Sequence, residues 1–225
     1  MKKTTPFLIA ILILFVSSCE TILSGNKISE GKIVYNIEYL DDENDNPLIS
    51  LLPKTMEIKF KDNNTATNIE GFFGTFKLRF ISNLKKETNY SILRIMDKKY
   101  IQTVAFGEEP AGYEMPKFTI EKTDEITEIA GYKCHVADVV SEGKETIKLY
   151  YTYDIKIKNP NANNPFSEID GVLMGFQVKL TGINMKFKAK KVVAETIDNE
   201  EFDIPSGYEE VTKEKLEEIL LSFQN

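Results

Sequence analysis

From Gly31 onward the apolar residues of this chain return at every second position, and that rhythm excludes most architectures. Ile33, Tyr35, Ile37 and Tyr39 alternate with Val34, Asn36 and Glu38. Met56, Ile58 and Phe60 alternate with Glu57, Lys59 and Lys61, and Phe76, Leu78 and Phe80 with Lys77, Arg79 and Ile81. Successive side chains of a strand point to opposite faces, so this period sets one series against a core and leaves the other in water. Further strands are read at 90–96, 99–105, 117–122, 130–140, 145–153, 172–181 and 184–195. Polar joints separate them, among them DDENDN at 41–46, GEEP at 107–110 and EGK at 142–144. Strands follow strands with no helical stretch between most of them, which predicts an antiparallel meander rather than parallel βαβ units.

One segment breaks the rhythm. In 211–223, VTKEKLEEILLSF, residues Leu216, Ile219, Leu220 and Phe223 fall on one helical stripe. Thr212 stands where an N-cap belongs, and Glu214 lies in the first turn, where the helix dipole favours an anion. Lys213, Glu217 and Glu218 make the other side polar, so the helix is expected to dock on something apolar. Leu48–Leu52, closed by Pro53, reads as one turn or a covering loop. Pro160 and Pro165 should keep NPNANNP extended and out of the sheet. Gly131 and Gly171 each open a strand, where a positive φ is expected. Pro205-Ser206-Gly207 should turn the chain toward the helix.

The N-terminus follows a different logic. Lys2 and Lys3 precede an apolar run, PFLIAILILFV at 6–16, about half the length that spans a bilayer. Val16-Ser17-Ser18-Cys19 then resembles the bacterial lipobox, in which the cysteine thiol is diacylated and the chain is cut just before it. Residues 1–18 are therefore read as a lipoprotein signal peptide, Cys19 as the lipidation site, 19–30 as a polar tether, and 31–225 as a single β-rich domain. The tether reaches ~40 Å at full extension. Glu20, Thr21 and Ile22 supply neither the aspartate of inner-membrane retention nor an acidic run for surface display. The expected location is the outer membrane, lipid-anchored and facing the periplasm.

Composition narrows the function further. The 225 residues carry 28 Lys and Arg against 35 Asp and Glu, a formal charge of −7, which repels nucleic acid. Two cysteines and one histidine exclude a disulfide framework and a His-rich metal site. No nucleophile elbow, P-loop, dinucleotide fingerprint or zinc-protease motif occurs. Cys134 and His135 are neighbours in an expected strand and so point apart, which disfavours a catalytic dyad. Asp41, Glu43 and Asp45 have the spacing of a calcium loop, but Asn46 and Leu52 stand where it needs Gly and Glu. Glu108/Glu109 and Glu200/Glu201 are ordinary in an acidic chain. No catalytic residue, cofactor or metal ligand is expected.

Residues 129–210 carry IAGYKCHVADV, LYYTYDIKI, NPFSEIDGVLMGFQV, MKFKAKKVV and FDIPSGYEEVT in that order. This succession resembles the uncharacterised bacterial lipoprotein domain related to the GLPGLI family, with GKIVYNIEY a weaker match to its start. Asp170-Gly171-Val172-Leu173-Met174 keeps only the Gly–aliphatic part of the namesake string, so the related domain fits better than GLPGLI proper. The resemblance implies a curved antiparallel sheet, a half-barrel wrapped round a helix as in lipoprotein carriers, and no catalytic residues. Three readings follow: an envelope lipoprotein holding an apolar ligand or lipid; an envelope structural or assembly subunit using its sheet edges; and, last, an enzyme.

Overall fold

The computed structural model describes residues 27–41, 49, 51–71, 74–83, 86–143 and 145–222. The signal peptide, Cys19, most of the tether, Glu43, Asp45 and Phe223 lie outside the described residues. Two residues before the first strand, the Ile28 backbone bonds Asp154 and Lys156 at 3.0 and 2.6 Å. No helix among the described residues is long and apolar enough to cross a membrane.

The alternating segments form one open twelve-stranded sheet. Strand β1 (Glu30–Tyr39) sits at its middle, its inward residues Ile33, Tyr35 and Ile37 buried and the intervening ones partly or fully exposed. On one side an antiparallel meander runs through β2 (Thr55–Lys61), β3 (Asn64–Gly71), β4 (Phe76–Asn83), β5 (Thr88–Ile95) and β6 (Lys98–Val104). On the other, β11 (Ile183–Val193) pairs with β1, followed outward by β10 (Val172–Leu180), β9 (Ile147–Thr152), β8 (Tyr132–Val140) and the edge strand β7 (Thr119–Ile129). The fold is thus two meanders joined where the first strand meets the last long one. The two-residue β12 (Glu209–Glu210) lies parallel to β6, and α1 (Lys213–Ser222) completes the chain.

The expected helix forms as its stripe requires. Lys215 N donates to Thr212 Oγ1 at 3.3 Å, so Thr212 caps it, and Leu216 and Leu220 are buried. Between β11 and α1 the chain crosses the opposite face of β2–β4 through a short 3-10 turn (Asn199–Phe202). Lys59 binds Glu201 at 2.6 Å, Arg79 binds it too, and Lys61 donates to the Ile197 carbonyl at 2.7 Å. The Lys59 hydrogen bond holds the Glu201 carboxyl below its ordinary range. Beneath this crossing Ala66, Ile81 and Ile92 are buried, so this half of the sheet is covered on both faces.

The 64–71 segment is a strand beyond those read from the sequence. Two local expectations need correcting. NPNANNP is out of the sheet but not extended: Ala162 bonds Asn159 and Asn164 bonds Asn161 in successive turns. Gly131 does take a positive φ of 81°, but Gly171 does not; a Cβ there would stand 2.7 Å from the Tyr151 ring and 2.9 Å from the Thr152 carbonyl oxygen. Close approach, not handedness, demands that glycine. Gly171→Ala should cost about 2–3 kcal/mol, because a backbone oxygen cannot swing aside. Gly131→Ala, with open space around it, should cost only the strain of its conformation, about 1–2 kcal/mol. Urea unfolding of the two variants checks the order.

A candidate ligand cavity on the core face

The core face of the sheet is not filled to its middle. A cavity of about 150 Å³ lies there, walled by β1–β6 on one side and by β10 and β11 on the other. Its apolar wall is an aromatic series. Phe176 and Phe187 stack with centroids 4.8 Å apart, Tyr35 meets Phe176 edge-on at 6.1 Å, and Phe166 meets Phe176 at 6.3 Å. Tyr35 and Phe166 are essentially inaccessible to solvent. The Tyr35 hydroxyl donates to the Leu173 carbonyl at 2.7 Å, tying β1 across β11 to β10. Burial raises its pKa far beyond the ordinary range, so it is a neutral donor. Tyr113, also on the wall, is pushed up to about 12 by burial.

The loop between β9 and β10 roofs this space. Asn161 is buried and its amide donates to the carbonyls of Ile169 at 2.6 Å and Gly171 at 2.9 Å, while Phe166 drops inward from the same loop. Asn163 donates to the carbonyls of Ala105 and Glu108 at 2.8 and 2.6 Å, fastening the roof to the loop after β6. No charged side chain lines the cavity among the described residues. Its polar lining is amide and hydroxyl: Asn89, Ser91, Thr65, Thr67 and Ser82 on the sheet, with the loop asparagines above.

A second, larger concavity of about 730 Å³ opens where β9 diverges from β10. Lys148, Lys179 and Lys186 border it, and each is ion-paired: with Asp138 at 3.0 Å, Glu114 at 3.1 Å and Glu38 at 3.7 Å. Partly exposed pairs of this kind describe a solvated face, and the smaller cavity is the better site.

The residues singled out from the sequence do not converge. Cys134 is fully buried, its thiol against the Tyr132 carbonyl at 3.4 Å and pushed up to about 11 by burial. A thiol so held is a poor nucleophile. His135, next along β8, lies instead against Tyr151 and Tyr153, at 5.6 and 5.2 Å between centroids. Asp41 accepts from the Asn184 backbone and side-chain amides at 2.7 and 2.8 Å, closing the β10–β11 end. No group of three metal-capable side chains occurs among the described residues. Sequence reading missed Asn89 and Ser91. Their only local signal was two uncharged polar residues in phase with Leu93 and Ile95.

No family model matches the chain. Among solved structures the chain is similar to PNGF-II in two crystal forms. In the P21 form the TM-score is 0.53 at 14% identity, over 85% of this chain and 33% of that one. In the C2 form it is 0.50 at 13% identity, over 85% and 32%. The chain thus spans about a third of the length of the solved structures it matches. At this identity the likeness is one of fold alone: a mainly β chain built on an open sheet.

Proposed function

We propose that this protein is a lipid-anchored lipoprotein of the cell envelope that holds an apolar ligand inside a half-barrel and acts by binding, not catalysis. The observation that carries this is the uncharged, aromatic-walled cavity on the core face. Val104 of β6 and Phe176 of β10 both line it, although the two strands stand seven places apart in the sheet order. In a flat sheet they would be separated by ~34 Å at the usual strand spacing, so the sheet has to curl for both to reach one small space. That favours the half-barrel of the carrier-like fold. The lipobox at Val16–Cys19 favours anchorage through Cys19, and Glu20-Thr21-Ile22 an outer-membrane position facing the periplasm. The buried, high-pKa thiol of Cys134 weighs against cysteine chemistry.

The alternative, a structural or assembly subunit using its sheet edges, is less favoured. Edge strand β7 is mostly exposed, carries Glu121, Lys122, Asp124, Glu125 and Glu128, and its register breaks between Lys122 and Ile126. Charges and bulges are how natural edges resist further pairing. Mass spectrometry of the protein purified from its native membrane tests the ligand reading. An apolar molecule recovered near one per chain is expected. If none is recovered and fatty acids leave the melting temperature unmoved, the scaffold reading takes its place.

A further inference from the structure

Part of the cavity wall is polar. Asn89 and Ser91 of β5 line it; Ser91 stands between Phe80 of β4 and Gln102 of β6, a neighbour just outside the lining, and Asn89 stands opposite Val104. All share the face of Leu93, the core face. Asn89, Ser91 and Gln102 are 3%, 1% and 6% exposed. Both side-chain polar atoms of Asn89, the Ser91 hydroxyl and Gln102 Oε1 are buried without a hydrogen-bond partner among the described residues. Buried polar groups are nearly always satisfied, because each orphan forfeits its hydration. Four orphaned atoms on three neighbouring residues are therefore a cluster with a cause. The fold does not demand polarity here: Val104 and Leu93 occupy equivalent positions at no such cost.

We propose that this cluster receives the head of a small uncharged ligand that both donates and accepts hydrogen bonds, an amide or a hydroxyl, whose apolar body lies against Phe80, Phe166 and Phe176. The inference rests on the apolar-ligand reading above and narrows it. Asn89 offers donors and an acceptor, and Ser91 one donor and two lone pairs, so the complement is a group with both functions. A charged head is disfavoured, since nothing lining the cavity would compensate its desolvation. Size sets a second limit. An apolar cavity of about this volume holds benzene, so the ligand, or the buried part of a longer one, is of that order. The same space would take about five waters, which is the competing occupant.

Three probes of one shape separate these cases: benzamide, benzoate and toluene, offered by equilibrium dialysis to the purified protein with a detergent blank. Benzamide should bind at least tenfold more tightly than either of the others. Asn89→Leu should bring benzamide within about twofold of toluene while raising the melting temperature by a few degrees, as removal of orphaned polar groups does. Ser91→Ala, a smaller change in the same cluster, should lower benzamide affinity severalfold and leave toluene unchanged. If toluene binds as well as benzamide, and neither variant alters the ratio, the polar head site is wrong while the apolar-ligand reading stands. If toluene binds and benzamide does not, water occupies the cluster and the inference is overturned. If none of the three binds, the head site is likewise overturned, and the apolar-ligand reading then stands or falls on the mass-spectrometric experiment.

Discussion

Leu216→Asp is expected to unfold the protein outright. Leu216 is completely buried, and Leu220, one turn on, is nearly so. Between them α1 is fastened to the loop after β6: Gly112 N donates to Glu217 Oε1 at 3.2 Å, and the Cβ position of Gly112 lies 3.7 Å from Leu220 Cδ1. Truncating a buried leucine alone costs about 2–5 kcal/mol. A carboxylate in its place must also be desolvated without a partner or take up a proton, which adds several more. Natural domains hold only about 5–15 kcal/mol in total, so the loss is comparable to the whole. A fall in melting temperature of more than about 10 °C, or loss of the cooperative transition, is the expected reading. Leu221→Asp, on the exposed side of the same helix, should stay within about 0.5 kcal/mol of the parent. If Leu216→Asp melts like the parent but releases ligand faster, the helix is a movable lid and its structural role is disproved.

The strands and the helix were legible because their side chains obey one period each. Where that period breaks, reading failed. Strand β3 presents Thr65, Thr67 and Ile69 to the core and Ala66 beneath the 199–202 crossing, so neither face is uniformly apolar and alternation gives no strand signal there. The unused signal was the turn before it: Asp62 and Asn63 both take positive φ, 51° and 65°, the conformation of a tight hairpin that Asp and Asn tolerate. The second half of β7 vanished for another reason. The irregularity between Lys122 and Ile126 shifts its register, and alternation counted from 117 falls out of phase there. Pairing of β1 with β11 could not be read locally, since strand order is set by long-range packing and not by period. The cavity was hidden by the same ambiguity. Alternation finds two faces of β5 but does not say which is core, and only the neighbouring strands put Asn89 and Ser91 inside.

Cys19→Ala should abolish acylation completely and leave an uncleaved precursor or a soluble form in place of the lipidated chain, while leaving the fold untouched. The two halves of this expectation have separate causes. Each buried acyl methylene contributes about 0.8 kcal/mol, so one chain binds reversibly and two or three hold on cellular timescales. No helix among the described residues is long and apolar enough to cross a membrane. Removing the acylated thiol should therefore leave either an unprocessed precursor, still held by its apolar run at 6–16, or a freely soluble form, and in neither case the lipidated mature chain. Ile28, nine residues beyond Cys19, is already held to the domain by its backbone bonds to Asp154 and Lys156, and the melting temperature should stay within a degree or two of the parent. Metabolic labelling with a fatty acid reads the first half, and thermal melting the second. Label that persists in Cys19→Ala, or is absent from the parent, would remove the lipid anchor and with it the envelope placement, while leaving the cavity and its ligand to stand on their own evidence.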